Sequence, residues 1–166
     1  LGLGLGLGLG LGLGLRQESE DENIHNMEKT LTIRMEKTID LLAKVAEDIT
    51  DPVRCYRLAA GVWCKHSLVG LGVNSYKTDP FQAKYGKHEH AIHLHAEVAA
   101  IKNAVRTVGD DLSRCTMVVV RVKREHERTN KFKTTLAKPC KGCYRCIVEF
   151  GLRKVYYTTE KGLEQL

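Results

Sequence analysis

Apolar residues recur along this chain with two periods, and the places where one period gives way to the other mark out its elements. Met35, Ile39, Leu42, Ala46 and Ile49 fall three to four residues apart ahead of Asp51-Pro52, which predicts an amphipathic helix that stops before the proline. Leu58 to Trp63 and Leu68 to Val73 are apolar runs on either side of the polar turn Lys65-His66-Ser67, and predict a hairpin. Val98, Ile101, Val105 and Val108 return to helical spacing and end at Gly109; Cys143, Ile147 and Phe150 do the same and end at Gly151. Met117 to Val122 and Val155-Tyr156-Tyr157-Thr158 read as buried strands. The predicted order is helix, two strands, helix, strand, helix, strand. Strand–helix–strand crossovers need a sheet with helices on its faces, and the opening hairpin adds an antiparallel pair, so the sheet is mixed.

Ahead of this pattern, residues 1–15 alternate Leu and Gly without exception. Glycine at every second position is costly to order, and the segment is shorter than the ~20 residues of a membrane span, so no membrane partner is expected. It reads as a cloning artefact, the second reading being a natural tail that promotes association. Residues 16–34 form a polar leader with Glu18, Glu20, Asp21 and Glu22, expected to be disordered. Met27-Glu-Lys-Thr recurs at Met35, too short a unit to be a structural repeat. That leaves residues 35–166 as one domain with room for a modest core.

Charge and cysteines narrow the setting. The net charge of +6 lies wholly outside the Leu-Gly segment and favours phosphate-bearing partners, although many proteins carry this much charge for solubility. It is densest at Arg121, Lys123, Arg124, Arg128, Lys131, Lys133 and Lys138, diluted by Glu125 and Glu127. Six cysteines with no leader peptide predict a reducing compartment, where thiols serve as ligands or core residues and not as bridges, and hence a cytoplasmic protein.

The candidate chemistry lies where the two later helices begin. His95-Ala96-Glu97 opens one and Pro139-Cys140-Lys141-Gly142-Cys143 opens the other. A catalytic zinc keeps three protein ligands and leaves a fourth position for water, and His95, Cys140 and Cys143 supply the three. Glu97 is then a carboxylate outside the ligand set, free to move protons between the water and a leaving group. Two helix N-termini also aim backbone N–H groups at developing negative charge. Cys146 suggests a closed four-ligand site instead, but six residues of helix rise ~9 Å while Zn–S bonds are only ~2.3 Å long, so it is assigned to core packing. Cys55, Cys64 and Cys115 lie in or beside apolar runs and are given the same role, and Trp63 reads as core.

The His-x-Glu and Pro-Cys-x-x-Cys pairing is the signature of zinc deaminases acting on cytosine or adenine. With Gly72-Val73-Asn74 ending the second strand and the Val155–Thr158 strand, the chain over roughly residues 35–160 resembles the cytidine deaminase-like superfamily, in particular its deoxycytidylate deaminase branch and compact viral members. The resemblance implies an α/β fold, a three-layer α/β/α arrangement around a mixed central sheet. It implies zinc as cofactor and hydrolysis of the amino group at C4 of cytosine, with Glu97 moving the protons. It implies Asn74 at the sugar or base, main-chain groups around Ala96 and Cys140 at the base edge, Tyr157 as a pocket wall, and a homo-oligomer. The bland alternatives are a strand-ending turn residue for Asn74 and a core residue for Tyr157, since a buried Tyr is usually core.

Two departures bear on substrate. The stretch between Val122 and Pro139 is long and carries the basic cluster, either as a phosphate-gripping lid or as a solvated loop. The approach to His95 contains His88, His90 and His93, which could chelate a second zinc or face solvent. The leading expectation is deamination of a free cytosine nucleotide, dCMP or dCTP. The second is a base in nucleic acid, adenosine in transfer RNA or cytosine in a single strand, opposed by the lack of rings beyond Phe132 among the basic residues. A nucleoside or pterin-like substrate is third, and a non-catalytic zinc-binding assembly protein is the alternative that Glu97 argues against.

Overall fold

The structure is a computed structural model and describes residues 34–53, 55–86, 93–126 and 128–166. The Leu-Gly segment, the polar leader up to residue 33, His88 and His90 lie outside the described residues. Contacts divide the chain into two units, Leu1–Lys37 and Thr38–Leu166, and the second carries the elements of interest.

Helix α1 occupies residues 34–47, and its Leu42 and Ala46 are fully buried. Strands β1 (Arg57–Cys64) and β2 (Ser67–Val73) form the expected hairpin, turned by Lys65 at φ 58°, the left-handed conformation that short turns between twisted strands require. Three short elements follow: β3 (Ser75–Thr78), α2 (Pro80–Ala83) and β4 (His93–Leu94). Helix α3 (Ala96–Val108) leads to β5 (Cys115–Arg124) and β6 (Phe132–Thr135). Helix α4 (Lys141–Glu149), β7 (Lys154–Thr159) and β8 (Gly162–Gln165) complete the chain.

The central sheet runs β2-β1-β5-β7-β8, with β6 also on β5. Only β5 and β7 pair in parallel, across the α4 crossover, so the sheet is mixed as the sequence predicts. Alternation buries both faces. Ala60, Val62, Met117, Val119 and Val155 pack with α3 and α4, while Ala59, Val118 and Val120 are buried on the other side, as the three-layer architecture demands. Among the described residues no helix is long and apolar enough to cross a membrane.

Helix α3 lies directly on the backbone of β2. A Cβ built on Gly70 would sit 2.2 Å from the carbonyl oxygen of Ala100, and one on Gly72 would sit 2.3 Å from that of Ala96. Ala96, Ala99, Ala100 and Ala104 give the helix a small-residue face to match. Gly72→Ala is therefore expected to force backbone apart and to destabilise the fold by about 3 kcal/mol, read from the urea midpoint. An unchanged midpoint would mean that the helix yields without strain.

Two sequence expectations are corrected. Cys64 and Cys115 are not separate core thiols: they are partners in the β1–β5 register and form a disulfide. The long stretch after Val122 is neither lid nor loop over its second half, because Phe132–Thr135 pairs with Arg121–Arg124 as β6. Strand β7 pairs with β5 only over Thr116–Val119, and β6 takes over where it stops. Thr158 makes the joint: its hydroxyl donates to the Thr135 carbonyl (2.9 Å) and accepts from the Arg121 N–H (3.2 Å), while its carbonyl accepts from the Ala137 N–H (2.8 Å).

Candidate active site

His95 and Cys140 are the residues that begin α3 and α4. Both keep an extended backbone and neither uses its side chain to cap its helix, so both side chains are free for another purpose. Cys143, one turn into α4, is fully buried beside them. The Sγ atoms of Cys140 and Cys143 are 3.6 Å apart, and His95 Nδ1 lies 3.7 Å from the first and 3.3 Å from the second. A tetrahedral zinc with Zn–S of ~2.3 Å and Zn–N of ~2.0 Å would set its donors about 3.5 to 3.8 Å apart. The residues present fit the ion, and among the described residues they are the group of His, Cys, Asp or Glu donors that could hold a metal. Cys146, buried in the core, is not among them.

Several contacts fix this convergence. The four-residue helix α2 starts at Asp79, whose carboxylate accepts the Phe81 N–H (2.9 Å) and pairs with Lys102 of α3. Its other end is tied to α4 by Lys84 and Glu149. Between these ties, buried Gln82 accepts the His95 N–H through Oε1 (3.0 Å) and sets where α3 begins. Arg145 of α4 donates to the carbonyls of Tyr85 (3.0 Å) and Gly86 (3.2 Å), and a Cβ on Gly142 would sit 2.3 Å from the Tyr85 oxygen. The sequence reading missed Gln82: an element of four residues has no period to detect, and a polar residue after Asp-Pro reads as turn.

Proton positions follow from burial and proximity. The hydrogen bond between the two sulfurs lowers the Cys140 thiol to about 3, and the same contact together with burial pushes the Cys143 thiol well up. His95 is raised, first by its hydrogen bond with Cys140. Glu97 is only 3% exposed, and burial pushes its carboxyl up.

His95, Glu97 and Cys140 meet at a cavity of about 480 Å3, a size typical of small-molecule sites. Val53, Leu58, Leu94 and Leu136 give it apolar walls, and Tyr56, Arg121 and Lys138 line it as well. A larger surface groove of about 680 Å3 adjoins across Lys138, lined by Lys141, Tyr144 and Arg145, but holds none of the three donors. Asn74 and Ala96 line the cavity. The Asn74 side chain also braces the entry to β1, accepting the Leu58 N–H (2.8 Å) and donating to the Tyr56 carbonyl (2.8 Å). Tyr157 does not line the cavity; it is buried in β7 and donates to Glu164 (2.9 Å). His93 lines it and holds the Tyr76 carbonyl through Nδ1 (3.1 Å).

Residues 33–159 match the family model described as the cytidine and deoxycytidylate deaminase zinc-binding region. No curated protein matches the chain. Among solved structures the chain is similar to the dCMP deaminase of cyanophage S-TIM5 in apo form, at 19% identity over 76% of this chain and 83% of that one, with a TM-score of 0.48. It is also similar to the cytidine deaminase of Mycobacterium leprae, at 18% identity over 76% of this chain and 91% of that one, TM-score 0.46. A third is the guanine deaminase of Bacillus subtilis, at 17% identity over 74% of this chain and 60% of that one, TM-score 0.45.

Proposed function

The chain belongs to the cytidine and deoxycytidylate deaminase family, whose chemistry is zinc-dependent hydrolytic deamination, and on that footing we propose that it converts a cytosine-containing nucleotide, dCMP or dCTP, to its uracil form with release of ammonia. The observation that carries the reading is the spacing of His95 Nδ1, Cys140 Sγ and Cys143 Sγ, which matches a tetrahedral zinc with one position open, beside a carboxyl that is not a ligand. Zinc bound there supplies an acidified water as the nucleophile.

The chain's own residues do the rest. Glu97, enclosed at the cavity floor, accepts the water proton and passes it to the ring nitrogen, then moves the second proton to the departing amine, so that water is consumed and ammonia leaves. Burial supports this role, because a carboxyl with a raised pKa binds a proton strongly enough to carry it between the two partners. The apolar walls keep bulk water from the ring. Main-chain groups at Ala96 and Cys140 face the base edge in this reading, and Asn74 keeps one amide hydrogen and one lone pair for the sugar. The homo-oligomer expected from the sequence is supported by Tyr144 and Val148, exposed one turn apart on α4.

The test is ammonia release by zinc-loaded full-length chain across cytidine, deoxycytidine, dCMP, dCTP, adenosine and a short single-stranded oligonucleotide. Turnover of the cytosine nucleotides is expected. Activity confined to the oligonucleotide would move the substrate to nucleic acid, and silence on all of them would leave the non-catalytic assembly reading.

A further inference from the structure

From Arg121 to Lys138 the chain carries seven Lys or Arg and two Glu, against a net charge of +6 for the whole. Register sorts these charges by face. Arg121 pairs with Leu58 on one side and Thr135 on the other, and alternation puts it on the face of β5 that carries Met117 and Val119, where the core gives way to the cavity. Lys123 is the next residue on that face, about 7 Å further along the strand, and its cross-strand partner is Lys133. Arg124 and its partner Phe132 point the other way, where the Phe132 ring centroid lies 5.4 Å from the Arg57 guanidinium and 5.6 Å from that of Arg124.

Among the described residues no carboxylate neutralises the cations on the cavity side. The Arg121 guanidinium lies 4.2 Å from the centre of the Tyr56 ring, its Nη1 is 3.4 Å from the Leu136 carbonyl, and its Nε is buried with no partner. Among the described residues no carboxylate pairs with Arg121, Lys138, Lys123 or Lys133, and the acid lining the cavity is Glu97. Like charges directly opposed across a ladder destabilise it, and a buried guanidinium nitrogen without an acceptor does the same, so an anion with several negative oxygens would relieve both. A Lys or Arg row of this kind binds phosphate through charge-assisted hydrogen bonds.

Building on the deaminase reading, we propose that Arg121 and Lys138 hold the first phosphate of the substrate and that Lys123 and Lys133 hold a further one, which makes the preferred substrate a cytosine nucleoside triphosphate rather than the monophosphate. A free nucleotide fits better than a strand, because a strand is held by several stacking rings as well as cations, whereas Phe132 of the hairpin lies on the opposite face and the Tyr56 ring on the cavity side is already covered by Arg121.

The experiment compares kcat/KM for dCTP, dCMP and deoxycytidine in zinc-loaded full-length chain. The parent is expected to favour dCTP over dCMP by about tenfold or more, and the double variant Lys123→Gln/Lys133→Gln to bring that ratio close to one. Arg121→Gln is expected to lower both nucleotides by about tenfold or more relative to deoxycytidine. Lys154→Gln, which removes an exposed cation at the opposite end of the sheet, where Lys154 pairs with Thr116, leaves the dCTP:dCMP ratio at the parent value. A parent that prefers dCMP, a double variant that keeps the preference, or a short cytosine strand that outcompetes dCTP overturns the proposal. If no cytosine compound is turned over, the deaminase reading fails by itself, and calorimetric titration with inorganic tripolyphosphate then decides the phosphate sites. Binding that is weakened at least about tenfold by the double variant upholds them, and equal binding by parent and variant removes them.

Discussion

Replacing Glu97 by Gln is expected to lower ammonia release about ten-thousand-fold while zinc stays bound at one ion per chain. The substitution keeps the shape of the side chain and its place in the first turn of α3, so the three donors are undisturbed. What it removes is the carboxyl lining the cavity that the proposed mechanism uses to move protons. The direction of the effect on stability separates this from unfolding. Burial raises the folded-state pKa of Glu97 above 4.5, so between pH 4.5 and that raised value the unfolded chain gives up its proton while the folded chain keeps it, and stability falls as pH rises through this window. A neutral amide abolishes that loss. In chain stripped of zinc by a chelator, the melting temperature of Glu97→Gln at neutral pH is therefore expected at or above that of the parent, while the zinc-loaded variant has lost its turnover. Retained turnover would take Glu97 out of the reaction.

The second large effect concerns the metal. Cys143→Ala is expected to empty the site of zinc and to lower the melting temperature by about 10 °C. Zinc at a thousand times its dissociation constant stabilises a folded chain by about 4 kcal/mol, and each kcal/mol moves the transition of a domain this size by roughly 2 to 4 °C. Cys143 is fully enclosed, so no solvent ligand can take its place from that side. Cys146→Ala supplies the contrast: it leaves a small void in the same core and keeps the ion, because Cys146 lies outside the donor group. Zinc content by atomic absorption and melting by circular dichroism read both variants. Loss of zinc from Cys146→Ala would point to a closed four-ligand site and away from catalysis.

Where local pattern suffices, the sequence and the structure agree. The stripes of Val98, Ile101 and Val105 and of Cys143 and Ile147 became α3 and α4 because side chains on one face of a helix must all find the same core. His95 and Cys140 could be placed at their starts, since the apolar period begins right after them. What was not legible depends on pairing between distant segments. Cys64 and Cys115 meet only because β1 and β5 align in one register, at a sequence separation of 51. Strand β6 reads Phe-Lys-Thr-Thr and has no apolar face of its own; it is a strand because β5 and Thr158 hold it. Arg121 was one basic residue among seven, and nothing short of its register with Leu58 and Thr135 distinguishes it from Arg124, which faces the other way. Tyr157 sits in a strand buried on both faces, where no polar alternation tells which way a side chain points, and it turned out to belong to the sheet.

The elements that hold the metal donors and those that bear the basic row are anchored separately. His95 and Glu97 ride on α3, seated on the glycines of β2, and Cys140 and Cys143 ride on α4, seated on Tyr85. The β5–β6 hairpin hangs from the outer half of β5, and lengthening its connection costs only about 0.6 kcal/mol per doubling in loop entropy. Its length and charge can drift over generations without shifting either helix. If the basic row selects the substrate as proposed, selectivity can evolve faster than reactivity, and grafting a foreign hairpin between Val122 and Thr134, which exchanges Lys123 and Lys133, is a route to retargeting this scaffold while its metal donors stay as they are.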